Sequence, residues 1–169
     1  MEFRIARSDD AEALSVVARA TFLQTFAHMI PAGDILQRGR QDDSPEAFQN
    51  ALATGHALWL ATIVQTGAPV GFAMLSPPDL PDVPTGPSDL ELKRIYLLHR
   101  FHGEGLGLRL LNAVEAEART RGAKRLLLGV YAENPVIGWY GRQGFEMIGE
   151  RRFQVGQSVF RDLILGKTL

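Results

Sequence analysis

The sequence predicts an α/β fold (α+β) in one domain, residues 1–169, with a mixed central β-sheet flanked by helices on both faces. Two observations predict it. The chain has 169 residues, 46% of them hydrophobic, which supports one core but is too short for two ordinary domains. Segments with strand alternation also interleave with segments of helical spacing, without an internal repeat or low-complexity tract.

The first third of the chain predicts one strand and two helices around an irregular segment. Residues 3–5 alternate apolar and polar and predict a short strand, after which Ser8 is expected to cap a long helix. The apolar residues of that helix recur on one face: Ala11, Leu14, Val17, Ala18 and Phe22. Residues 30–44 have mixed polarity, and we predict a loop or broken helical segment that walls the substrate site. A short helix is expected from Pro45 to about Gly55.

The remaining segments predict a sheet with two more helices. Two apolar segments around a turn predict a β-hairpin, and five prolines within residues 77–88 predict an exposed loop. A strand then leads through a glycine-rich turn into a helix that ends at Gly122. The predicted strands are residues 57–64, 70–75, 90–98, 124–132, 145–153 and 158–165, and the last short helix is 135–142.

The composition excludes several classes of function. Lys plus Arg (18) nearly equal Asp plus Glu (19), so the net charge of the protein would not attract it to nucleic acid or to an anionic membrane. There is no cysteine, which excludes disulfides, thiolate metal ligands and a thioester on the enzyme. The start lacks the pattern of a secretory signal and no apolar run approaches the ~20 residues that span a bilayer. We therefore expect a cytoplasmic protein.

The feature that carries chemistry is the glycine-rich turn from Arg100 to Gly107. Such a turn between a strand and a helix lets the backbone approach an anion, aims N–H groups at it and adds the helix dipole. The turn has no Gly-Lys-Ser/Thr, which excludes a Walker-type loop there, and its glycines at alternate positions do not form the G-x-G-x-x-G of a dinucleotide site. A tight connection without a ligand remains the structural alternative.

The segments around this turn resemble the GCN5-related N-acetyltransferase (GNAT) superfamily. The acyl-CoA motif of that family reads Gln/Arg-x-x-Gly-x-Gly/Ala, which Arg100, Gly103 and Gly105 match. Residues 129–134 and 139–145 resemble the second cofactor segment of the family, in which Asn precedes a helix and an aromatic-Tyr pair precedes Gly-Phe. Four segments are similar to the bacterial spermidine/spermine acetyltransferase branch: residues 21–26, 92–97, 128–131 and 162–164.

The resemblance implies that acetyl-CoA binds where the strand ending at Leu98 splays from the strand beginning near Arg125. Its pyrophosphate would lie on the turn, and its pantetheine arm along a bulged strand. The implied cofactor-binding residues are Ile95, Tyr96, Leu97, Arg100, Phe101, His102, Gly103, Glu104, Gly105, Leu106, Gly107 and Asn134.

The chain departs from the family pattern at two positions. Asn134 precedes Tyr140 by six residues, where the family usually has seven. His102 stands where the family tends to have Arg or Gln, so a contribution of its side chain to phosphate binding would depend on pH.

Acyl transfer from a thioester to an amine needs a base, an oxyanion site and an acid. An alkylamine with a pKa of ~10.4 is unprotonated in about one molecule in a thousand at neutral pH, so a base contributes to the rate. The resemblance implies Glu91 as that base, acting through water, with a solvated charge or an ion pair to Lys93 or Arg94 as the alternative. Tyr140 is the candidate acid for the departing thiolate, unless it is only a buried core residue.

A main-chain N–H of Ile95, Tyr96 or Leu97 is expected to meet the oxyanion, and the sequence does not choose among them. His99 and His102 lack an ordered third ligand, and we predict no metal. We predict that Trp139 and Phe145 are core aromatics. An acidic group could attract a polyamine or only solvate a loop: Asp34, Asp42, Asp43 and Glu46.

The sequence thus favours an N-acetyltransferase that transfers acetyl from acetyl-CoA to a primary amine, a polyamine or another small amine, by direct attack. Two alternatives remain: acetylation of a protein or peptide, and a non-catalytic acyl-CoA-binding module. A small-molecule acceptor is the expected partner, with a homodimer as the expected assembly.

Overall fold

A computed structural model describes residues 1–169 and contains seven strands and five α-helices. The element bounds are, in chain order, β1 (Glu2–Ile5), α1 (Ala11–Phe26), α2 (Ala32–Gln41), α3 (Pro45–Ala53), β2 (Ala57–Thr62), β3 (Pro69–Ser76), β4 (Asp89–Leu97), α4 (Leu106–Thr120), β5 (Arg125–Tyr131), α5 (Ile137–Arg142), β6 (Glu146–Val155) and β7 (Ser158–Thr168). None of the helices combines the length and apolar character that crossing a membrane requires.

The strands form one mixed sheet in the order β1-β2-β3-β4-β5-β7-β6. Every neighbouring pair is antiparallel except β4 and β5, which are parallel and are connected through α4. The predicted fold class is confirmed. Because the one parallel pair lies at the centre, the carboxyl ends of β4 and β5 point to the same edge of the sheet.

Helices cover both faces of the sheet and build two cores. On one face, α4 buries a stripe at helical spacing that includes Leu110, Leu111 and Val114, and α5 adds Tyr140. On the other face, α1 and α3 pack on β2 and β3, with Leu14 and Phe48 fully buried. Both helical faces follow from the spacing of apolar residues along the chain.

Strands β4 and β5 separate shortly after they begin. They pair at three positions only, the last of which is Glu91 opposite Leu127. Beyond that point β4 is bulged at Lys93, because Leu92 pairs with Leu75 while Arg94 pairs with Met74. The extra residue increases the local twist, and the strands diverge into a V-shaped opening. The splayed strands expected from the resemblance are present.

Residues 30–44 are more ordered than the sequence predicts. Ala32–Gln41 of this segment form the regular helix α2, not a loop or a broken helix, with Pro31 at its N-cap and Asp34 in its first turn. The carboxylate of Asp34 accepts hydrogen bonds from the N–H groups of Gln157 and Ser158, at 3.1 and 3.2 Å. Two glycines and a polar composition weaken the local helix signal, and this tertiary anchor to the β6–β7 turn offsets the weakness.

The start of α1 also differs from the prediction. Ser8 does not cap the helix, since residues 8–10 form a 3₁₀ turn and α1 begins at Ala11. Asp10 precedes the helix instead, and its carboxylate binds the Arg4 guanidinium at 2.6 and 2.7 Å and the Arg7 N–H at 2.8 Å. A bidentate arginine pair holds the acidic residue more strongly than a serine cap would.

Candidate active site

The glycine-rich turn connects the end of β4 to the start of α4. Gly103 and Gly105 have φ angles of 82° and 76°, in the left-handed region that side chains rarely adopt. A Cβ at either position would meet no atom within 4 Å, so conformation, not space, requires glycine there. The two residues reverse the chain so that α4 begins directly beside the opening.

The turn presents a row of main-chain N–H groups without a partner in the protein. The first N–H that bonds back is that of Arg109, which donates to the Gly105 carbonyl at 3.1 Å. The N–H groups from Gly103 to Leu108 donate to no protein acceptor. They include the N-terminus of the 15-residue helix α4, whose dipole attracts negative charge. The turn is therefore built to hold an anion such as a phosphate.

Main-chain geometry also distinguishes the residues of β4 that face the opening. The Leu98 N–H donates to the Val70 carbonyl on β3 at 2.8 Å. Strand alternation in this register directs the N–H of Tyr96 toward β3 as well, and those of Ile95 and Leu97 toward the opening. Tyr96 is thus excluded as the main-chain donor to the opening, and two of the three expected donors remain.

Glu91 lies on β4 at the point where the pairing with β5 ends, and it is 2% exposed. Its carboxylate accepts a hydrogen bond of 2.8 Å from the Asp79 N–H. Burial raises the pKa of this carboxyl, although the Asp79 N–H and nearby cations lower it. It is neither solvated nor held in an ion pair: Lys93 binds Asp79 at 2.9 Å and Arg94 binds Asp43 at 2.7 Å.

Tyr140 approaches the opening from α5. Its ring packs edge-on against Trp139 and Phe145, with centroids 5.1 and 5.6 Å away. Phe145 belongs to the core as predicted, whereas Trp139 is half-buried and packs against it. The hydroxyl forms no hydrogen bond with the protein, although the side chain is 6% exposed. Burial raises the pKa of the phenol well above its usual range, and the phenol of Tyr96 adds to the shift. Tyr140 is therefore protonated at any physiological pH.

Comparison with known proteins identifies this arrangement. Residues 26–145 match the model of the acetyltransferase (GNAT) family. An uncharacterized N-acetyltransferase of Mycobacterium tuberculosis is 30% identical over 161 residues, which are 95% of this chain and 98% of that protein. The chain belongs to the GNAT family of acetyltransferases.

Two solved structures share the fold over the whole chain. The PaiA N-acetyltransferase of Thermoplasma acidophilum, solved in complex with coenzyme A, superposes with a TM-score of 0.77 at 22% identity and 100% coverage of both chains. The ribosomal-protein-alanine N-acetyltransferase of Brucella melitensis superposes with a TM-score of 0.71 at 25% identity, also with 100% coverage of both. The sheet order and the V-shaped opening are thus those of a GNAT domain.

The two departures from the GNAT pattern have structural counterparts. The side chain of Asn134 accepts a hydrogen bond of 3.0 Å from the Val136 N–H and so begins the turn before α5. Its amide N–H groups stay free, so the residue can both shape this turn and donate to a ligand. The ring of His102 forms a hydrogen bond of 2.8 Å between its Nε2 and the Leu97 carbonyl, which ties the turn to β4. Arg100 is exposed on the same turn.

Two residues near the opening were not predicted as site residues from the sequence. Asp162 on β7 is 4% exposed, and Arg151 on β6 donates to it through Nε and Nη2 at 3.3 Å each. The Arg151 guanidinium lies over Gly129, where any Cβ would collide with it, and also donates to the Asp79 carbonyl at 3.4 Å. It therefore pairs with the buried carboxylate of Asp162, and its charge also lowers the pKa of the Glu91 carboxyl, which burial raises. The sequence offered one signal for this pair: Asp162 is a charged residue that alternates with Phe160 and Ile164 and so lies on the buried face of a strand.

Two of the four acidic residues considered for a polyamine, Asp34 and Asp43, form contacts inside the protein. The Ser158 hydroxyl and the Gln157 N–H lower the pKa of Asp34 by binding its carboxylate. Asp43 is 2% exposed and pairs with two arginines. No three histidine or carboxylate side chains converge as metal ligands. These two acidic side chains therefore organise α2 and are not free to attract a cation.

The conformation of the turn can be tested through stability. Gly105→Ala should lower the free energy of unfolding by about 1–2 kcal/mol, because alanine must adopt a left-handed backbone. Gly107→Ala is the matched control: Gly107 has ordinary helical φ, and its Cβ would lie 3.9 Å from Trp139, so stability should hold or rise by up to about 1 kcal/mol. Urea unfolding measures both, and equal stabilities would contradict the strained-turn explanation.

Proposed function

We propose that this protein is an acetyl-CoA-dependent N-acetyltransferase that transfers acetyl to the primary amine of a small molecule by direct attack. One observation carries the proposal: the opening between β4 and β5 has a row of unpartnered N–H groups at its mouth, with Glu91 and Tyr140 beside it. The chain has no cysteine to carry the acetyl group, which favours transfer without an acyl-enzyme.

The residues present suit a bound coenzyme A. The N–H row from Gly103 to Leu108 would hold the pyrophosphate, with the Arg100 cation nearby. The unpaired edge of β4 would hydrogen-bond the pantetheine arm, as a neighbouring strand would. Bound there, acetyl-CoA supplies the thioester carbon that the amine attacks. The N–H of Ile95 or Leu97 faces the opening and would stabilise the negative charge that develops on the carbonyl oxygen.

Glu91 would remove the proton from the acceptor ammonium, directly or through one water. Its raised pKa makes it a stronger base than an exposed glutamate, and its fixed position on β4 keeps it beside the reacting end of the opening. The Asp79 N–H, Lys93 and Arg151 favour the ionised carboxylate and so oppose part of the rise in pKa that burial causes.

Tyr140 would donate its hydroxyl hydrogen to the departing sulfur. A protonated phenol with no protein partner is free to form that hydrogen bond, and the surrounding ring packing holds it in place. Because burial raises its pKa, the Tyr140 phenol is a weak acid that keeps its proton. It is therefore suited to stabilise the departing thiolate by donating a hydrogen bond to it.

A primary amine fits the opening because the opening contains two buried carboxylates, Glu91 and Asp162, of which only Asp162 is paired with a cation, that of Arg151. The resemblance to the spermidine/spermine branch makes polyamines one acceptor class, with other small amines as the second. Helix α2 lies over the acceptor side, anchored by Asp34, which favours a small acceptor over an extended peptide.

The test is an amine panel with polyamines, aminoglycosides, amino acids and peptides, assayed by release of free CoA. We expect acetylation of at least one small amine, with thermal stabilisation by CoA of several degrees at saturating concentration. If CoA stabilises the protein but no amine is acetylated, the non-catalytic acyl-CoA-binding function is correct. If only peptides are acetylated, the small-molecule acceptor is wrong.

A further inference from the structure

Two arginines on the acceptor side share one carboxylate. Arg94 on β4 binds Asp43 through Nη1 at 2.7 Å, and Arg38 on α2 places its Nε 3.3 Å from the other oxygen of Asp43. The only further carboxylate nearby is that of Asp42, which is 55% exposed and 3.8 Å from Arg38. The buried part of this cluster therefore carries two positive charges and one negative charge, because the carboxylate of Asp42 lies at its solvated edge.

Arg38 is buried without the hydrogen bonds that a buried guanidinium needs. Its side chain is 8% exposed, and its guanidinium donates no hydrogen bond to another protein group. Its Nε is completely buried and, although within ion-pair distance of Asp43, is not aligned for a hydrogen bond. The guanidinium lies over the Phe22 ring, 4.3 Å from its centroid. Such an orphaned donor in a native fold calls for a partner that is not part of the chain.

Arg94 also keeps donors free. Only its Nη1 is used, by Asp43 and by the Asp42 carbonyl at 3.1 Å. Its guanidinium lines a cavity of about 180 Å³ between α2, α3 and the sheet, beside Phe48 and Met74. Burial and the like charge of Arg38 lower the pKa of Arg94, although it stays a cation. An anion in this place would relieve the repulsion between the two arginines.

The position of Tyr96 relates this cluster to the reaction centre. Tyr96 projects from the same face of β4 as Arg94, next to the Ile95 N–H, and its ring stacks on Phe72 with centroids 5.9 Å apart. Burial raises the pKa of its phenol, and the nearby charges of Arg38, Arg94 and Asp162 act on that pKa as well. The cationic cluster and Asp162 thus both lie in the neighbourhood of the Tyr96 phenol.

We propose that Arg38 and Arg94 bind a carboxylate of the acceptor, so that the substrate is a small amine that also carries a carboxylate. This inference rests on the proposed acetyltransferase function and narrows its acceptor class. The amine end points to Glu91 and Asp162, and the carboxylate end to the two guanidinium groups, which recognise planar carboxylates through paired N–H donors. A polyamine would bring a second cation toward Arg38 and Arg94, which is unfavourable.

The first experiment compares amines that differ only in the carboxylate, with free CoA release as the readout. The pairs are 5-aminopentanoate against pentylamine and L-lysine against cadaverine. We expect kcat/KM to be about 10- to 100-fold higher for the carboxylate member, the range of hydrogen bonds to charged groups. Pentanoate, which has no amine, should compete with 5-aminopentanoate in the unaltered protein.

The second experiment removes one guanidinium. Arg38→Gln should raise KM for 5-aminopentanoate by about 10-fold or more, with little change for pentylamine. Arg40→Gln is the matched control, because Arg40 lies exposed on the same helix and the charge change is equal. Thermal unfolding confirms that each variant is folded. If Arg38→Gln does not fold, competition by pentanoate in the unaltered protein still tests the carboxylate site.

The outcomes separate this inference from the function on which it rests. Acetylation of cadaverine or polyamines at or above the rate for lysine, with no inhibition by pentanoate, overturns the carboxylate site and leaves the acetyltransferase function intact. Absence of acetylation for both members of every pair, despite CoA binding, overturns the function itself.

Discussion

Tyr140→Phe should lower kcat by about 10²- to 10⁴-fold, the usual contribution of a positioned acid, while the affinity for CoA changes little. The hydroxyl has no partner in the protein, so its loss removes only an interaction with the departing sulfur. Phenylalanine keeps the edge-on packing against Trp139 and Phe145, so the fold should be unaffected. Steady-state kinetics with the best amine, together with CoA titration, measure both quantities.

Thermal unfolding provides the control for Tyr140→Phe. We expect an equal or slightly higher melting temperature, since a buried hydroxyl without a partner is removed. A decrease in kcat of less than threefold in a folded variant would show that Tyr140 is only a core residue.

Glu91→Gln should lower kcat/KM by about 100-fold or more and remove the acidic limb of its pH profile. Only the ionised carboxylate acts as a base, and burial raises its pKa, so this limb should lie above the ~4.3 of an exposed glutamate. Glu146→Gln is the matched control, because Glu146 is exposed at the start of β6. An unchanged acidic limb in Glu91→Gln would assign the titration to another group.

The same substitution should make the protein more stable at neutral pH. Since the folded pKa of Glu91 is raised above its unfolded value, protonation favours the folded state, and its ionisation opposes folding as pH rises through the folded pKa. Glutamine avoids that cost and still accepts the Asp79 N–H. The variant should therefore melt higher than the parent at pH 8, and the difference should disappear near pH 4. A lower melting temperature at pH 8 would show that the ionised carboxylate is structurally required.

Much of the fold could be predicted from local patterns. The hairpin of β2 and β3, the face of α4 and the proline-containing loop 77–88 all follow from spacing and turn chemistry that act over a few residues. Helix α2 could not, because Gly33 and Gly39 weaken its local signal and a contact with residues more than 120 positions away holds it. The segment shows how tertiary anchoring overrides propensity.

The candidate site also has a part that the sequence predicts and a part that only the fold reveals. The turn with its glycines at 103 and 105 was recognisable because left-handed backbone restricts the residue type. The choice between Ile95, Tyr96 and Leu97 needed the register of β4 on β3. Asp162, Arg151 and Arg38 are scattered in the sequence, and no spacing rule connects them.

By itself, the sequence determined the order of the elements, the glycine-rich turn and the family, because each depends on residue types at short range. Only the tertiary structure decided how β4 and β5 diverge, which N–H groups face the opening, and that Glu91 is buried and free of Lys93 and Arg94. The physical reason is that burial and charge pairing depend on distance in space. Two arginines, Arg38 on a helix and Arg94 on a strand, become one cationic cluster only when the chain folds around Asp43.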